Sequence, residues 1–371
     1  MASRQGGSLV IGVTGGIGTG KSAVLKILAS LGAEGIDADL TAHAVMAPDG
    51  PVHGAVVAAF GPEIVAADGM IDRKRLGARV FADSAALSQL EAIVHPAVAQ
   101  AIGRRIAASR ATEVAIEAIK LLESGLSRQL CDQVWVTRCS RRQQIARLSA
   151  SRGMPAEEAR RRLAAQMPPA QMASQADRII DTNGSLAETA MQALAGWVEL
   201  GLPLPAVTLR AATAADAAST AALLNSVVRE GGLTVVNRTF TVAQERAFLR
   251  RLPPRARITL AEVGGVVVGF QSLEPYSPVY TTAMDHVGVI GTFVLACLRG
   301  RGIGQLMAQA TVEHARQMGF TKLVINVRGD NSGAQAFYRS LGFQPCGRLT
   351  DQVFIDGSYV DEMLYEMFIN A

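Results

Sequence analysis

The run GGIGTGKS at residues 15–22 follows the apolar stretch LVIGVT and opens the amphipathic stretch KSAVLKILASLG. It fits G-x-x-x-x-G-K-S with Gly15, Gly20, Lys21 and Ser22 in register. In strand–loop–helix context this pattern constrains the fold more than any other feature. Glycines let backbone N–H groups converge on phosphate oxygens at the carboxyl end of a strand, and the helix adds its positive N-terminal end. Lys21 can then reach the β- and γ-phosphates, and the Ser22 hydroxyl can ligate Mg²⁺. The alternative, a structural glycine turn, has no use for Lys and Ser at those positions.

The rest of the first half alternates short apolar runs with helical ones. AEGIDAD, EVAIEAIKLL and DQVWVTRC read as further strands, the last almost continuously apolar. Such alternation predicts an α/β fold with a parallel sheet covered on both faces. The second strand ends in Asp37 and Asp39, beside the phosphate loop. A carboxylate there can accept a proton from an attacking hydroxyl or hold Mg²⁺ through water. The plainer alternative is a pair of turn-forming aspartates. Residues 141–171 change to arginine-dense helix and predict a mobile cover, as a kinase needs to keep water from the phosphoryl group.

With 371 residues, nearly half of them apolar, the chain can bury two cores. The proline-bearing stretch ELGLPLPAVTLR separates a predicted helix from a strand, so domains are expected at residues 1–203 and 204–371. A net charge of +4 suits anionic small molecules and does not require nucleic acid. The four cysteines form no metal or redox pattern, the first apolar run is too short for a signal peptide, and no window reaches the length of a membrane span. These features predict a cytosolic protein without nucleic-acid or membrane partners; they leave the oligomeric state open.

Over about residues 9–197 the chain resembles the dephospho-coenzyme A kinases. The resemblance rests on TGGIGTGKS, LGAEGIDAD with Ala42-His43, DGMIDRKRLGARVF, LEAIVHPAV, QIARL, AAQM and ADRIIDTNG, in this order. It implies a P-loop kinase domain with a helical lid that uses ATP and Mg²⁺ to phosphorylate the ribose 3′-hydroxyl of dephospho-CoA. Gly18, Thr19, Gly20, Lys21, Ser22 and Ala23 would bind ATP, with Ser22 on the metal. Asp37 would be the general base, and Asp39, Arg73 and His95 would line the acceptor side. Arg147 and Arg152 would close over the phosphates, a role that planar guanidinium groups suit. Arg141, Arg142, Arg160, Arg161 and Arg162 read as a solvated face. The chain departs from the family at Ala23, where a hydroxyl is common, and at Glu117–Glu123. There D-x-P-L-L-x-E becomes EAIKLLE, with Lys120 inside it and no proline.

The second half predicts a mostly antiparallel α+β domain. A strand, GVIGTFV, runs into RGRGIG at residues 299–304 and then a helix, so N–H groups again face an anion. Downstream, Asn331 precedes Tyr338 by two helical turns. Over about residues 207–367 this half resembles the GNAT acetyltransferases, through FVLACLRGRGIG and N…AFY…LGF. The resemblance implies that Thr292, Phe293 and Val294 pair with the pantetheine arm of acetyl-CoA. Gly300, Arg301, Gly302, Ile303, Gly304 and Gln305 would cradle its pyrophosphate. Asn331 would hold cofactor or helix geometry, and Tyr338 would protonate the leaving thiolate. Asn326 stands where some relatives carry a catalytic glutamate, so Glu230, Glu274, His286 or an ordered water are the candidate bases. The chain as a whole is expected to join a dephospho-CoA kinase to an N-acetyltransferase with an amine acceptor. The alternative is a kinase for another small hydroxyl acceptor joined to a non-catalytic acetyl-CoA sensor.

Overall fold

The computed structural model describes residues 7–80, 83–123, 125, 127–276 and 281–369. Residues 1–6, at the end read as carrying no signal peptide, and Phe81, which closes the DGMIDRKRLGARVF motif, lie outside the described residues. The chain divides into two compact units, Met1–Gly184 and Ser185–Ala371. Among the described residues no helix is long and apolar enough to cross a membrane.

The first unit runs β1 (Leu9–Thr14), α1 (Lys21–Ser30), β2 (Glu34–Asp37), α2 (Ala38–Val45), α3 (His53–Phe60), α4 (Arg73–Val80), α5 (Ser84–Ala108) and β3 (Glu113–Glu117). It continues with β4 (Gln133–Arg138), α6 (Arg141–Arg152), α7 (Ala156–Ala164), α8 (Pro169–Ala173) and β5 (Arg178–Asp181). The strands form one parallel sheet in the order β2-β3-β1-β4-β5. Central β1 is buried on both faces through Val10, Ile11 and Val13, as are β3 through Val114–Ile116 and β4 through Val134–Val136. That explains their unbroken apolar runs. Two expected strands are shorter than their apolar runs: Ala38 and Asp39 already belong to α2, and β3 stops at Glu117. The phosphate loop thus lies at the carboxyl end of the central strand, flanked by the ends of β3 and β4.

The second unit opens with α9 (Leu186–Glu199), which the sequence assigns to the first domain. Its apolar face, with Ala193, Leu194 and Trp197, is buried against β8 and α10. The prolines after α9 look like a linker, yet the division falls before the helix. Then follow β6 (Thr208–Ala211), α10 (Ala217–Glu230), α11 (Val242–Arg250), β7 (Arg257–Val263), β8 (Val266–Pro275) and β9 (Val287–Val294). The unit ends with α12 (Ile303–Gln317), β10 (Lys322–Arg328), α13 (Ser332–Ser340), β11 (Gln344–Ile355) and β12 (Ser358–Phe368). Its sheet has the order β11-β12-β10-β9-β8-β7-β6 and is antiparallel except for β9 and β10. That parallel pairing runs only from Lys322↔Val287 to Val324↔Val289. Beyond it the two strands line opposite walls of a cavity.

One ion-pair cluster ties the first strand of this sheet to its neighbours. Arg210 donates to Asp216 at 2.7 and 2.9 Å and to Glu262 at 2.6 Å. The Arg210 guanidinium chiefly holds the Asp216 carboxyl down at about 2. Because the folded pKa lies below the ordinary value, its contribution to stability is present above about pH 4 and is lost as pH falls toward 2. With Arg210 partly open to solvent, Asp216→Asn should destabilise by about 1 kcal/mol at neutral pH. The difference in melting temperature between wild type and variant should shrink as the pH falls through 4 toward 2, measured by calorimetry. A difference that persists unchanged would refute the pairing energy.

Candidate active sites

In the first unit the loop's glycines adopt backbone angles that side chains resist. Gly15 has φ +144°, and a Cβ there would stand 2.4 Å from the Thr137 carbonyl oxygen; Gly20 caps α1 with φ +87°. The loop is braced from below: the Thr19 hydroxyl lies 2.7 Å from both the Gly16 carbonyl and the Thr137 hydroxyl. Lys21 is 6% exposed and donates Nζ–H bonds to the carbonyls of Gly15 and Gly16 at 3.0 and 3.1 Å. Burial pushes its pKa down, while Glu117 and Asp39 pull it up.

Carboxylates gather around that cation. Ser22 donates to Glu117 Oε1 at 2.8 Å, and Glu117 Oε2 is buried with no hydrogen-bond partner. Burial raises the Glu117 pKa, offset by Ser22 and Lys21 and reinforced by Asp37 and Asp39. A hydroxyl beside a carboxylate with an unused oxygen is a hard-oxygen donor set that suits Mg²⁺. The two sequence-predicted aspartates part company. Asp37 Oδ1 accepts from the N–H groups of Asp39 and Leu40, so it caps α2. Asp39 opens toward solvent, but its surroundings and the Asp37 charge raise its pKa against the pull of Lys21, His43 and Arg152. Asp39 is therefore the carboxylate whose ionisation is coupled to both the phosphate-loop lysine and the lid.

The arginine-dense insert is better anchored than a solvated cover. Ile17 of the loop packs with Leu148, Met154, Ala159 and Leu163 in a small core of its own. Gln144 donates to the Ile17 carbonyl at 2.8 Å, and Gln166 accepts from the Ile17 N–H at 3.0 Å. Arg147 donates to the Thr182 hydroxyl and carbonyl at 3.2 and 2.6 Å, and Thr182 in turn donates to the Thr19 carbonyl at 2.7 Å. The sequence points to the stretches holding Gln144, Gln166, Thr182 and Thr137, but assigns these four residues no role. Arg141, Arg142 and Arg161 are exposed, and Arg160 and Arg162 pair with Glu157 and Glu158 on the solvent face. On the acceptor side Arg73 begins α4 and its charge bears on His43. His95 lies inside α5; burial lowers its pKa, with Glu91, Lys120 and Glu123 nearby. Lys120 is paired with Glu91.

In the second unit the splayed strands bound a cavity of about 600 Å³. Thr292, Phe293 and Val294 line one wall, the turn from Arg299 through Gln305 closes one end with every residue but Arg301 on the lining, and Asn331 and Tyr338 come from the next connection and α13. Gly302 caps α12 with φ +81°, and a Cβ on Gly304 would stand 2.8 Å from the Phe337 ring. Arg299 grips Glu230 bidentately at 2.5 and 2.7 Å, which removes Glu230 as a free base. Asn331 caps α13 by accepting from Ala334 and ties the Leu233 carbonyl with its amide, so it holds helix geometry. Glu274 lies on β8 with its pKa raised by burial, and His286 accepts at its carbonyl from the N–H groups of Thr321 and Lys322. Tyr338 is 4% exposed and donates to the Thr292 hydroxyl at 2.9 Å.

A phosphate loop with converging carboxylates under an arginine lid, followed by a splayed mixed sheet with a second glycine turn, defines a transferase of two units. Residues 9–188 match the dephospho-CoA kinase (CoaE) family, and residues 233–343 match the acetyltransferase (GNAT) family. The dephospho-CoA kinase of Geobacter metallireducens is 46% identical over 194 residues, which are 52% of this chain and 96% of that protein. That of Symbiobacterium thermophilum is 45% identical over 51% of this chain and 80% of its own length. Among solved structures, TT1252 from Thermus thermophilus is 30% identical with a TM-score of 0.47, over 52% of this chain and 98% of its own. A putative acetyltransferase, yncA, from Salmonella typhimurium, solved with acetyl-CoA, is 19% identical with a TM-score of 0.42, over 45% of this chain and 95% of its own. The chain belongs to the dephospho-CoA kinase family through its first unit, and its second unit carries a GNAT acetyltransferase domain.

Proposed function

We propose that the first unit transfers the γ-phosphoryl group of ATP to the 3′-hydroxyl of dephospho-CoA, and that the second moves an acetyl group from acetyl-CoA to an amine. The observation that carries the first half is the buried Lys21 on the loop carbonyls beside the Ser22–Glu117 pair, with the charges of Glu117, Asp39 and Arg152 bearing on it. Gly18 through Ala23 would hold the phosphates, with Lys21 exchanging its two loop carbonyls for phosphate oxygens. Ser22 and Glu117 would hold Mg²⁺, which when bound neutralises phosphate charge. Asp39, with its raised pKa, takes the proton of the attacking hydroxyl, while Asp37 sets the start of α2. Arg147 and Arg152 close the lid side, and Arg73 and His95 stand on the acceptor side. In the second unit, Gly300 through Gln305 would cradle the pyrophosphate and the backbone of Thr292, Phe293 and Val294 the pantetheine arm. Tyr338 would protonate the leaving thiolate.

The test is ADP release by the full chain with ATP, Mg²⁺ and a panel of hydroxyl acceptors. Turnover should be specific to dephospho-CoA. Turnover with a nucleoside or another sugar alcohol in its place would overturn the acceptor assignment and leave the phosphoryl-transfer assignment standing.

A further inference from the structure

The second unit holds a buried hydrogen-bond chain that ends on Tyr338, and the acetyl transfer described above gives the side chains of its other two members no role. Gln271 on β8 and Thr292 on β9 are cross-strand partners, so their side chains share one face of the sheet. Gln271 Nε2 donates to Thr292 Oγ1 at 2.7 Å, and the Tyr338 hydroxyl donates to the same oxygen at 2.9 Å. Gln271 is fully buried, and its amide oxygen has no hydrogen-bond partner. A half-satisfied amide in a core is unfavourable where leucine or methionine would pack without an orphan. Local rules broken in this way belong to functional sites. What the amide gains is a fixed Thr292 hydroxyl.

We propose that Thr292 and Gln271 are positioning residues for the acid Tyr338, and that Thr292 stabilises the phenolate when the proton leaves; this rests on the acetyl-transfer reading. As the C–S bond of the acyl donor breaks, its electron pair goes to sulfur. The Tyr338 O–H bond breaks, an S–H bond forms, and a phenolate remains. Thr292 then turns its own O–H toward the phenolate, changing from acceptor to donor, while Gln271 still donates to its other lone pair. The proton given up by the acylated amine restores the phenol through solvent, so the cycle balances.

The need for such a device follows from the surroundings. Burial pushes the Tyr338 phenol up to about 12, and only Thr292, through its hydroxyl and its backbone, holds it down. A thiolate with a conjugate acid near 8.5 is a weak base toward a phenol of that kind. The rings of Phe337 and Phe343 stand edge-on to Tyr338 and supply no charge.

The experiment uses the full chain labelled with 3,5-difluorotyrosine, whose acidic phenol titrates below the alkaline unfolding range. The Tyr338 resonance is assigned by its loss in Tyr338→Phe, and fluorine NMR follows its titration. Thr292→Val should raise the Tyr338 pKa by about one unit, and Thr292→Ser should restore it. Gln271→Met should raise it by a smaller amount while leaving the melting temperature unchanged or higher. CoA release from acetyl-CoA with a panel of amines should fall about tenfold in kcat for Thr292→Val, with little change in KM. A titration unmoved in Thr292→Val overturns the proposal even if Tyr338→Phe is inactive. Full turnover in Tyr338→Phe overturns the acid assignment, and the positioning role with it. A Gln271→Met chain that melts lower and leaves the titration unmoved shows that Gln271 is structural.

Discussion

Lys21→Ala should lower dephospho-CoA-dependent ADP release by roughly 10³-fold, the size expected when a charged donor is withdrawn from a developing phosphoryl charge. Lys21 is a buried ammonium held between two loop carbonyls and carboxylates whose charges reach it. Alanine removes the positive charge and leaves Glu117 and Asp39 without their central counter-ion, so ATP binding should weaken as well. The loop itself should survive, since Thr19, Gln144, Gln166 and Thr182 brace it from outside the Lys21 side chain. Stopped assays of ADP release beside a thermal melt would check both halves of this expectation. A variant that folds and retains a tenth of the wild-type rate would remove Lys21 from the transferring site.

Asp39→Asn should cut kcat by about 10²–10⁴-fold, the range of a lost general base, whereas Asp37→Asn should change it by less than about tenfold. The contrast is usable because asparagine caps a helix about as well as aspartate, so Asp37→Asn preserves the start of α2. The pH dependence carries a second signature. Asp39 must be ionised to accept a proton, and its pKa is raised by its surroundings and by Asp37. The acid limb of kcat should therefore lie above the ordinary carboxylate range and disappear in Asp39→Asn. A large loss in Asp37→Asn with a stable fold would return the base to Asp37, as the resemblance first implied.

Much of the fold was legible because its signals are local. The apolar runs of β1 and β4 and the helix after RGRGIG all declare themselves within a dozen residues, and the structure places elements there. The sites were legible in part. Tyr338 and the glycines fall in the cavity, and Arg147 stands beside the phosphate loop. Asn331 turned out to hold a helix, and Glu230 is engaged by Arg299. The Asn331 cap is local, within the helix geometry the sequence already allowed it, whereas no spacing rule could have shown the Glu230 pairing, since Arg299 lies 69 residues away.

The sequence by itself determined where phosphates could be held, because a phosphate loop is a matter of neighbouring backbone angles that only glycine adopts freely, followed by a helix start. It also determined the order of the two units. Only the tertiary structure decided that α9 goes with the second unit, that the charge of Asp39 bears on Lys21, and that Gln144, Gln166 and Thr182 brace the loop. It alone joined Gln271 and Thr292 to Tyr338. These are contacts between residues far apart in the chain, and hydrogen bonding and desolvation act on distance in space, to which local periodicity is blind.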